Sequence, residues 1–572
     1  MQGQTHNRRF DRYVPRVLLR RLVTAPETPV LTLDGTVVFI DISGFTRLSE
    51  RLARTGREGA EHLADTIGSC LSELLATAYV NGGSLLKFGG DALLIWFDGD
   101  EHPLRACASA VAMRRTLRQI GRIRVGGRAI VLRMSVGVHT GSYEMFVVGS
   151  SHREFLIAGP AVSRVVEMEA AATTGQILVS EPTASLLPER CTGAAPGPGV
   201  LLTRSPSPRE WIDEPAVALP PDEVVARCLS TSVRAHLLSE PAAPEHRTAT
   251  ISFVQYGGLD RLILRRGAPA AADALDALVR VAQDAADRYE ICLLGSDIAA
   301  DGGKLLFSAG APRAAGDDEE RMLLAMRQLL DSAPPLPVRI GVNRGSAFTG
   351  EIGPAFRRTY TVMGDVVNLA ARLMAKAPWG AIYATDGVLR CSRTKFATTV
   401  VPPFMVKGKL HPVDALAVGS ALRAAPPGAS AKHLPLIGRE RELAILSDAI
   451  AATNAGKGSL VELVGERGSG KSRLLTEALE LADRMRLVHA TCESYTQAIP
   501  YVAWRGPLRQ LVGLSDDEAD AAVLQQLRAH VTSSRPALLP WLPLLAIAIG
   551  VEASPTRAVE DLAPEFRAAK LR

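Results

Sequence analysis

TVVFIDISGF, residues 36–45, is an apolar run that delivers a carboxylate, Asp41, to a turn at Gly44, after which helical patterning begins. The phrase returns as TISFVQYGGL at 250–259. VGVHTG (136–141) returns as IGVNRG (340–345), and FLIAGPAVSRVVEMEAA (155–171) as YTVMGDVVNLAARLMAK (360–376), in unchanged order. Three motifs repeated in one order mean that the same unit is built twice. Within each copy, short Val/Ile/Leu-rich runs alternate with longer amphipathic stretches such as CLSELLATAYV, the pattern of helices mixed with sheet. Two α/β domains are expected, at 31–185 and 246–420.

The rest of the chain is bounded by composition. At about 150 residues per domain, 572 residues make roughly four units. Hydrophobic residues at 47% and charged ones at 22% exclude a disordered, collagen-like or disulfide-stapled chain. A net charge of +5 is too small over this length to argue for nucleic acid. The seven cysteines are scattered, with no pair at metal-ligand spacing, as in a protein of the reducing cytoplasm. Segment 1–30 carries six arginines within its first 22 residues and no apolar core of the kind a secretory signal needs; its arginines are expected to face water. The stretch 186–245 opens with a Gly/Pro/Ser-rich linker and continues into helical patterning at PDEVVARCLSTSVRAHLL. A second break at 421–435 precedes a third module, 436–572. Its most apolar part, 537–553, is interrupted by Pro540 and Pro543 and is shorter than the roughly 20 residues of a membrane span, so it is expected to be buried in a soluble module.

The chemistry lies at the strand ends. The turn after Asp41 aims backbone N–H groups at a phosphate. In NGGSLLKFGGDALLIWF (81–97), Asp91 stands at the mouth of another apolar strand. Either aspartate alone reads as a cap or turn former. Two strand-end carboxylates together suit divalent cations bound jointly with substrate phosphates. FIDISGFT and KFGGDALL together resemble the metal-binding half of the class III nucleotide cyclases. The resemblance implies two ions, Mg2+ or Mn2+, held by Asp41, Asp91 and Ile42, with Phe45 and Thr46 against the substrate.

The second copy has Gln255 in place of Asp41 and glycine in place of Asp91, but it carries Asn368 and Arg372 four residues apart on one helical face. The first copy has Ser163 and Glu167 there. In the family an Asn orients the ribose and an Arg meets charge on the α-phosphate, and Asn368 and Arg372 match that motif. By the same resemblance Thr361 and Lys304 read an adenine base, and Lys407, with Lys409 beside it, reaches the triphosphate. Ferredoxin-like class III domains pair head to tail, here as an intramolecular pseudo-heterodimer. That pairing collects every functional residue in one cleft and leaves the other degenerate. The implied activity is conversion of ATP to 3′,5′-cyclic AMP and pyrophosphate. Guanylate cyclisation and a catalytically silent nucleotide sensor are the alternatives. Lys87, four residues before Asp91, matches the lysine of the bicarbonate site in soluble adenylyl cyclases, the tandem subgroup this chain most resembles. That site's arginine is not evident among Arg164, Val166 and Glu167.

In the third module, SLVELVGERGSGKSRLLTEALEL holds a complete phosphate-loop pattern, Gly465 to Ser472, read as lying between a strand and a helix. Its amides, including those at Gly465 and Gly470, are expected to cradle a second nucleotide, with Lys471 on the β and γ phosphates and the Ser472 hydroxyl near magnesium. One hundred residues follow Ser472 without an apolar strand ending in an acid. The module therefore resembles the N-terminal portion of the large ATPase region that follows the cyclase domains in soluble-type enzymes.

Overall fold

The repeated apolar runs become the central strands of two sheets of one topology. The computed structural model describes residues 10–26, 28–44, 48, 57–89, 92–125, 128–194, 197–209, 211, 219–238, 244–314, 317–405, 412–422, 438–465, 471–482, 485–488, 490, 501–513, 520–551, 553–562 and 564–571. They fall into two units, 1–425 and 426–572.

In the first sheet, β1 (Val30–Ser43) lies antiparallel between β3 (Ala92–Phe97) and β4 (Arg133–Val148); β2 (Ser84–Gly89) borders β3 and β5 (Glu154–Ala158) pairs with β4. Beyond β4 come β6 (Ile177–Val179), parallel to it, then β8 (Val200–Leu202) and β7 (Thr192–Gly193). The sheet thus continues past residue 185 into the Gly/Pro-rich stretch. Val37, Val38, Ile40 and Ile42 of β1 are all buried, because a central strand with both faces covered is apolar throughout.

The second sheet repeats this order. β9 (Glu245–Gly257) is central, with β11 (Gly302–Ala309) and β10 (Cys292–Ala299) on one side and β12 (Val338–Ile352), β14 (Ile382–Ala384), β16 (Val413–Ala421) and β15 (Phe396–Phe404) on the other; β13 (Thr359–Met363) pairs with β12. In each half a glycine of the repeated Val/Ile-Gly-Val phrase lets a helix rest directly on the sheet. A Cβ at Gly137 would stand 2.4 Å from the backbone of α4 (Pro160–Ala171), and one at Gly341 would stand 2.2 Å from the backbone of α9 (Asp365–Lys376). Each helix starts at a glycine of positive φ, Gly159 (111°) and Gly364 (128°).

The halves exchange apolar arms. Phe146, Val148, Leu156 and Ala158 of β4 and β5 pack into the core of the second half. Reciprocally, Phe348, Ile352 and Met363 of β12 and β13 enter the core that holds Ile40, Ile42 and Leu48. This reciprocity is the head-to-tail pairing expected from the repeat.

Two expectations are corrected here. The basic N-terminal segment does not simply face water: Phe10, Val14 and, on α1 (Arg16–Thr24), Val17, Leu18 and Leu19 are buried against the first sheet. Arg21 is buried too, donating to the Met145 carbonyl at 2.7 Å and to the Thr28 carbonyl, because main-chain acceptors at the sheet surface satisfy the guanidinium. In the second unit, no strand forms over 459–465. Leu460 and Val464 are largely exposed, and among the described residues no neighbouring strand supplies hydrogen-bond partners. The helix after the phosphate loop is present as Lys471–Glu480. Within 537–553, Leu542, Ala546, Ile549 and Val551 are buried against Val523, Leu527 and Val531, as expected. Among the described residues no helix is long and apolar enough to cross a membrane.

Candidate functional site

Between the halves lies a cavity of about 350 Å³, within the range of small-ligand pockets. The first half contributes Lys87, Phe88 and Gly89; the second contributes Lys304, Thr361 and Asn368. Tyr13 to Pro15 and the inter-domain residues Cys228, Leu229 and Val233 complete its wall. Three of the second-copy residues singled out by sequence therefore share one chamber with the strand that leads to Asp91. Asn368 opens the second turn of α9, and Arg372 stands one turn further along the same face, both half-buried.

Asp41, half-buried near the end of β1, faces Ala92 on one side and Ser135 on the other. Ala92 directly follows Asp91, which lies outside the described residues, as do Phe45, Thr46, Lys407, Lys409 and Gly470. Ile42 is fully buried in the core cluster that also holds Met363, the residue just before the start of α9. An aspartate at a strand end supplies oxygen ligands of the kind a hard cation takes.

The pseudo-equivalent cleft is filled by the chain itself. Gln255, the counterpart of Asp41, faces Arg339 where Asp41 faces Ser135. Arg339 donates from Nε and Nη2 to Gln255 Oε1 at 3.0 and 2.7 Å, and its guanidinium lies 4.8 Å from the Trp379 ring centroid. A neutral amide, held by a fixed cation, thus stands where the first copy offers a carboxylate, and the cation takes the place of Ser135. The N–H groups of Gly258 and Asp260, at the turn equivalent to Gly44–Thr46, already bond the Asp301 carboxylate at 3.0 and 3.1 Å. Ser163, the counterpart of Asn368, accepts from the Asp301 N–H at 2.7 Å. Glu167, the counterpart of Arg372, is paired with Arg164 at 3.1 Å.

Lys87 is not open to an external anion in the way the resemblance implies. Its ammonium donates to the Phe155 carbonyl at 2.6 Å and to Ser296 Oγ, and it lies 3.7 Å from Glu154. Ser296 in turn donates to Glu154 Oε1 at 2.5 Å, and His152 Nε2 approaches Glu154 Oε2 at 3.3 Å. Gln283 of the second half donates to the His152 carbonyl at 2.8 Å. Burial lowers the Lys87 pKa, opposed by Glu154 and Asp297. Burial alone would raise that of Glu154, but the His152 hydrogen bond, Lys87 and Ser296 together bring it down to about 2. Arg164 is on the surface with Glu167, and the arginine that does line the cavity, Arg357, comes from the second half. Its guanidinium is buried among the carbonyls of Leu85, Leu86, Arg12 and Arg358, and burial brings its pKa down to about 10.

Sequence reading missed Glu154, Ser296, Asp297 and Arg357. Only Asp297 left a signal, as a hairpin centred on Ala300 and Asp301 sets residue 297 opposite Lys304.

Because the Glu154 pKa is depressed, its contribution to stability is full above the ordinary carboxyl value of 4.5 and is lost as pH falls toward about 2. Urea midpoints measured from pH 6 to about pH 3 are expected to fall less steeply for Glu154→Gln than for the parent. Parallel curves would show that the carboxylate is not a folding-linked titrating group.

In the second unit, Lys471 opens its helix and donates to the Gly465 carbonyl at 2.7 Å. The Ser472 side chain lies outside the described residues.

Comparison with known proteins defines the class. The adenylate and guanylate cyclase catalytic domain family matches residues 32–195 and 320–417, and the AAA ATPase domain family matches 435–570. The chain carries tandem class III adenylate/guanylate cyclase domains followed by an AAA ATPase domain. It is distantly similar to adenylate cyclase type 10 of Homo sapiens, 24% identical over 429 residues that cover 67% of this chain and 26% of that protein. The Oryctolagus cuniculus form is 24% identical over 534 residues, covering 80% of this chain and 31% of that protein. The chain spans about a quarter to a third of the length of these relatives. Among solved structures, a class III adenylyl cyclase-like ATP-binding protein from Pseudomonas aeruginosa aligns with a TM-score of 0.45 at 12% identity, covering 64% of this chain and 85% of that one.

Proposed function

We propose that the protein is an adenylate cyclase with one productive cleft, built from both halves. What supports this reading is the asymmetry of the two clefts: Lys304, Thr361 and Asn368 share a chamber with the first-half strand leading to Asp91, while in the pseudo-equivalent cleft Gln255, in place of Asp41, is bonded by Arg339, and Ser163, in place of Asn368, is bonded by the Asp301 N–H.

In this reading Lys304 and Thr361 hold the base, Asn368 orients the ribose, and Arg372 presents its fixed fork of donors to the α-phosphate. The ribose 3′-oxygen loses its proton and bonds to the α-phosphorus as the bond to the bridging oxygen of the pyrophosphate breaks. Mg2+ or Mn2+ held by Asp41, Asp91 and the main chain at Ile42 would lower the pKa of the 3′-hydroxyl and neutralise the triphosphate. Lys407 is assigned to the triphosphate by resemblance alone. The phosphate loop, through Gly465, Gly470, Lys471 and Ser472, binds a second nucleotide and acts as a regulator. Bicarbonate activation is not carried over, since Lys87 already has an internal carboxylate beside it.

The test is to incubate the protein with ATP or GTP and Mg2+ or Mn2+ and measure cyclic product. The parent is expected to form cyclic AMP, and Lys471→Ala to retain at least basal turnover, because the phosphate loop stands outside the cyclising chemistry. Nucleotide binding without any cyclic product would make the chain a silent sensor and overturn the proposal. Preferential cyclic GMP formation would reassign the substrate.

A further inference from the structure

Charge is distributed unevenly along the first half. Between Glu101 and Glu144 the sequence holds eight arginines and no acidic residue, against a net charge of +5 for the whole chain. Arg105 is buried and bonded to main-chain carbonyls, among them that of Asp100 at 2.9 Å. The others gather at the C-terminal end of the helix His102–Ile120, on the two-stranded ribbon that follows it, and at Arg133 just beyond. In the ribbon, Arg122–Val125 pairs antiparallel with Arg128–Val131, and it belongs to neither main sheet. Its inner face is anchored: Ile130 is buried in the core of the first half and Ile123 packs against that core. Strand alternation puts the register partners Arg122 and Val131 on the opposite face, and both are exposed.

Arg115, Arg118 and Arg133 are exposed as well, and among the described residues none of these four arginines meets a carboxylate. Arg118, in the last helical turn, complements the helix dipole, which accounts for one of them. Arg114 donates to the Gly175 carbonyl at 3.0 Å, and burial together with the like charges of Arg118 and Arg115 lowers its pKa. Surfaces ordinarily mix both signs, since a one-sign field works against the compact state. Among these arginines stand two exposed aliphatic side chains, Ile120 (38%) and Val131 (52%). An anionic bilayer surface answers both features. Its headgroups supply the missing negative charge, as they do for clusters of about four to eight Lys/Arg. Aliphatic side chains among basic ones gain by entering the boundary between headgroups and acyl chains. Nucleic acid would answer the charge alone: residues 102–142 include no Phe, Tyr or Trp on which a base could stack, and the two aliphatic side chains would be left against phosphates. We infer that Arg115, Arg118 and Arg122, with Ile120 and Val131 among them, form a surface that docks the first half on an anionic phospholipid membrane. The inference is independent of the cyclase reading.

The experiment sediments the full chain with vesicles of phosphatidylcholine alone, or containing about 30% phosphatidylserine, at about 0.1 M and about 0.5 M salt. The parent is expected to bind the phosphatidylserine vesicles at the lower salt, to bind them about 10-fold more weakly at the higher, and to leave the neutral vesicles unbound. Arg115→Gln/Arg118→Gln/Arg122→Gln is expected to weaken binding about 10- to 100-fold, and Val131→Ser about 2- to 10-fold, with thermal unfolding within a few degrees of the parent as the check on folding. Arg261→Gln/Arg265→Gln/Arg266→Gln removes the same charge from exposed positions in the second half and should bind as the parent does. A loss in this control equal to that of the first triple variant would make the attraction one of net charge and overturn the inference. Absence of binding to the phosphatidylserine vesicles, or undiminished binding by the first triple variant, would do the same. Binding of the parent to mixed-sequence duplex DNA but not to the vesicles would reassign the surface to nucleic acid and overturn it too.

Discussion

Asp41→Ala is expected to abolish cyclic product, with a loss of about 10³-fold or more in kcat/KM, because it removes one of only two carboxylates assigned to the cations that neutralise the triphosphate. The fold should survive. Asp41 is half-buried at a strand end, and its cross-strand partners Ala92 and Ser135 leave room for the shorter side chain. Thermal unfolding within a few degrees of the parent, together with absent product, is the expected pair of observations. Product formation equal to that of the parent would remove the metal assignment and with it the identity of the productive cleft. Gln255→Ala, at the pseudo-equivalent position, supplies the control: it releases Arg339 but should leave turnover near the parental level.

The second large effect is expected for Arg372→Ala, a fall of about 10²–10³-fold in kcat with a smaller change in KM. The guanidinium is assigned to charge that grows on the α-phosphate during the reaction, so its removal affects the transition state more than the bound substrate. Arg372→Lys should recover only part of the loss, because an ammonium is a point charge without the planar fork. A variant whose defect lies wholly in KM would instead make Arg372 a ground-state binding residue. The position of this side chain depends on α9 lying flat on Gly341, since a misplacement of about 1 Å can cost 10²-fold in such chemistry.

Much of this was legible in the sequence, for a definite physical reason. Internal repetition fixed the two sheets, since TVVFIDISGF and TISFVQYGGL are apolar runs long enough to be central strands and each is followed by the same ordered motifs. Helical periodicity made it legible that Asn368 and Arg372 share one face, while their roles came only from the resemblance to the class III cyclases. Contacts between residues distant in sequence were not. The burial of Arg21 depends on the Met145 carbonyl, and Lys87 meets a carboxylate from β5 and a hydroxyl from β10. No local pattern encodes these meetings, which follow from how the two sheets interlock. The strand expected before the phosphate loop illustrates the converse. An apolar run with β propensity forms a strand only where a neighbour takes its hydrogen bonds.

The filled second cleft has a consequence for how this chain can change. Converting it back into a working centre would require Gln255, Arg339, Ser163 and Glu167 to be altered together, and Asp301 to release the amides of Gly258 and Asp260. No single one of these changes restores a site: Gln255→Asp, for example, would place its carboxylate on the Arg339 guanidinium, which would hold it as it now holds the amide. The duplication therefore acts as a ratchet: neither half regains independence by one small step, and on the proposed reading each copy of the protein has a single place for cyclisation, shared between its two halves.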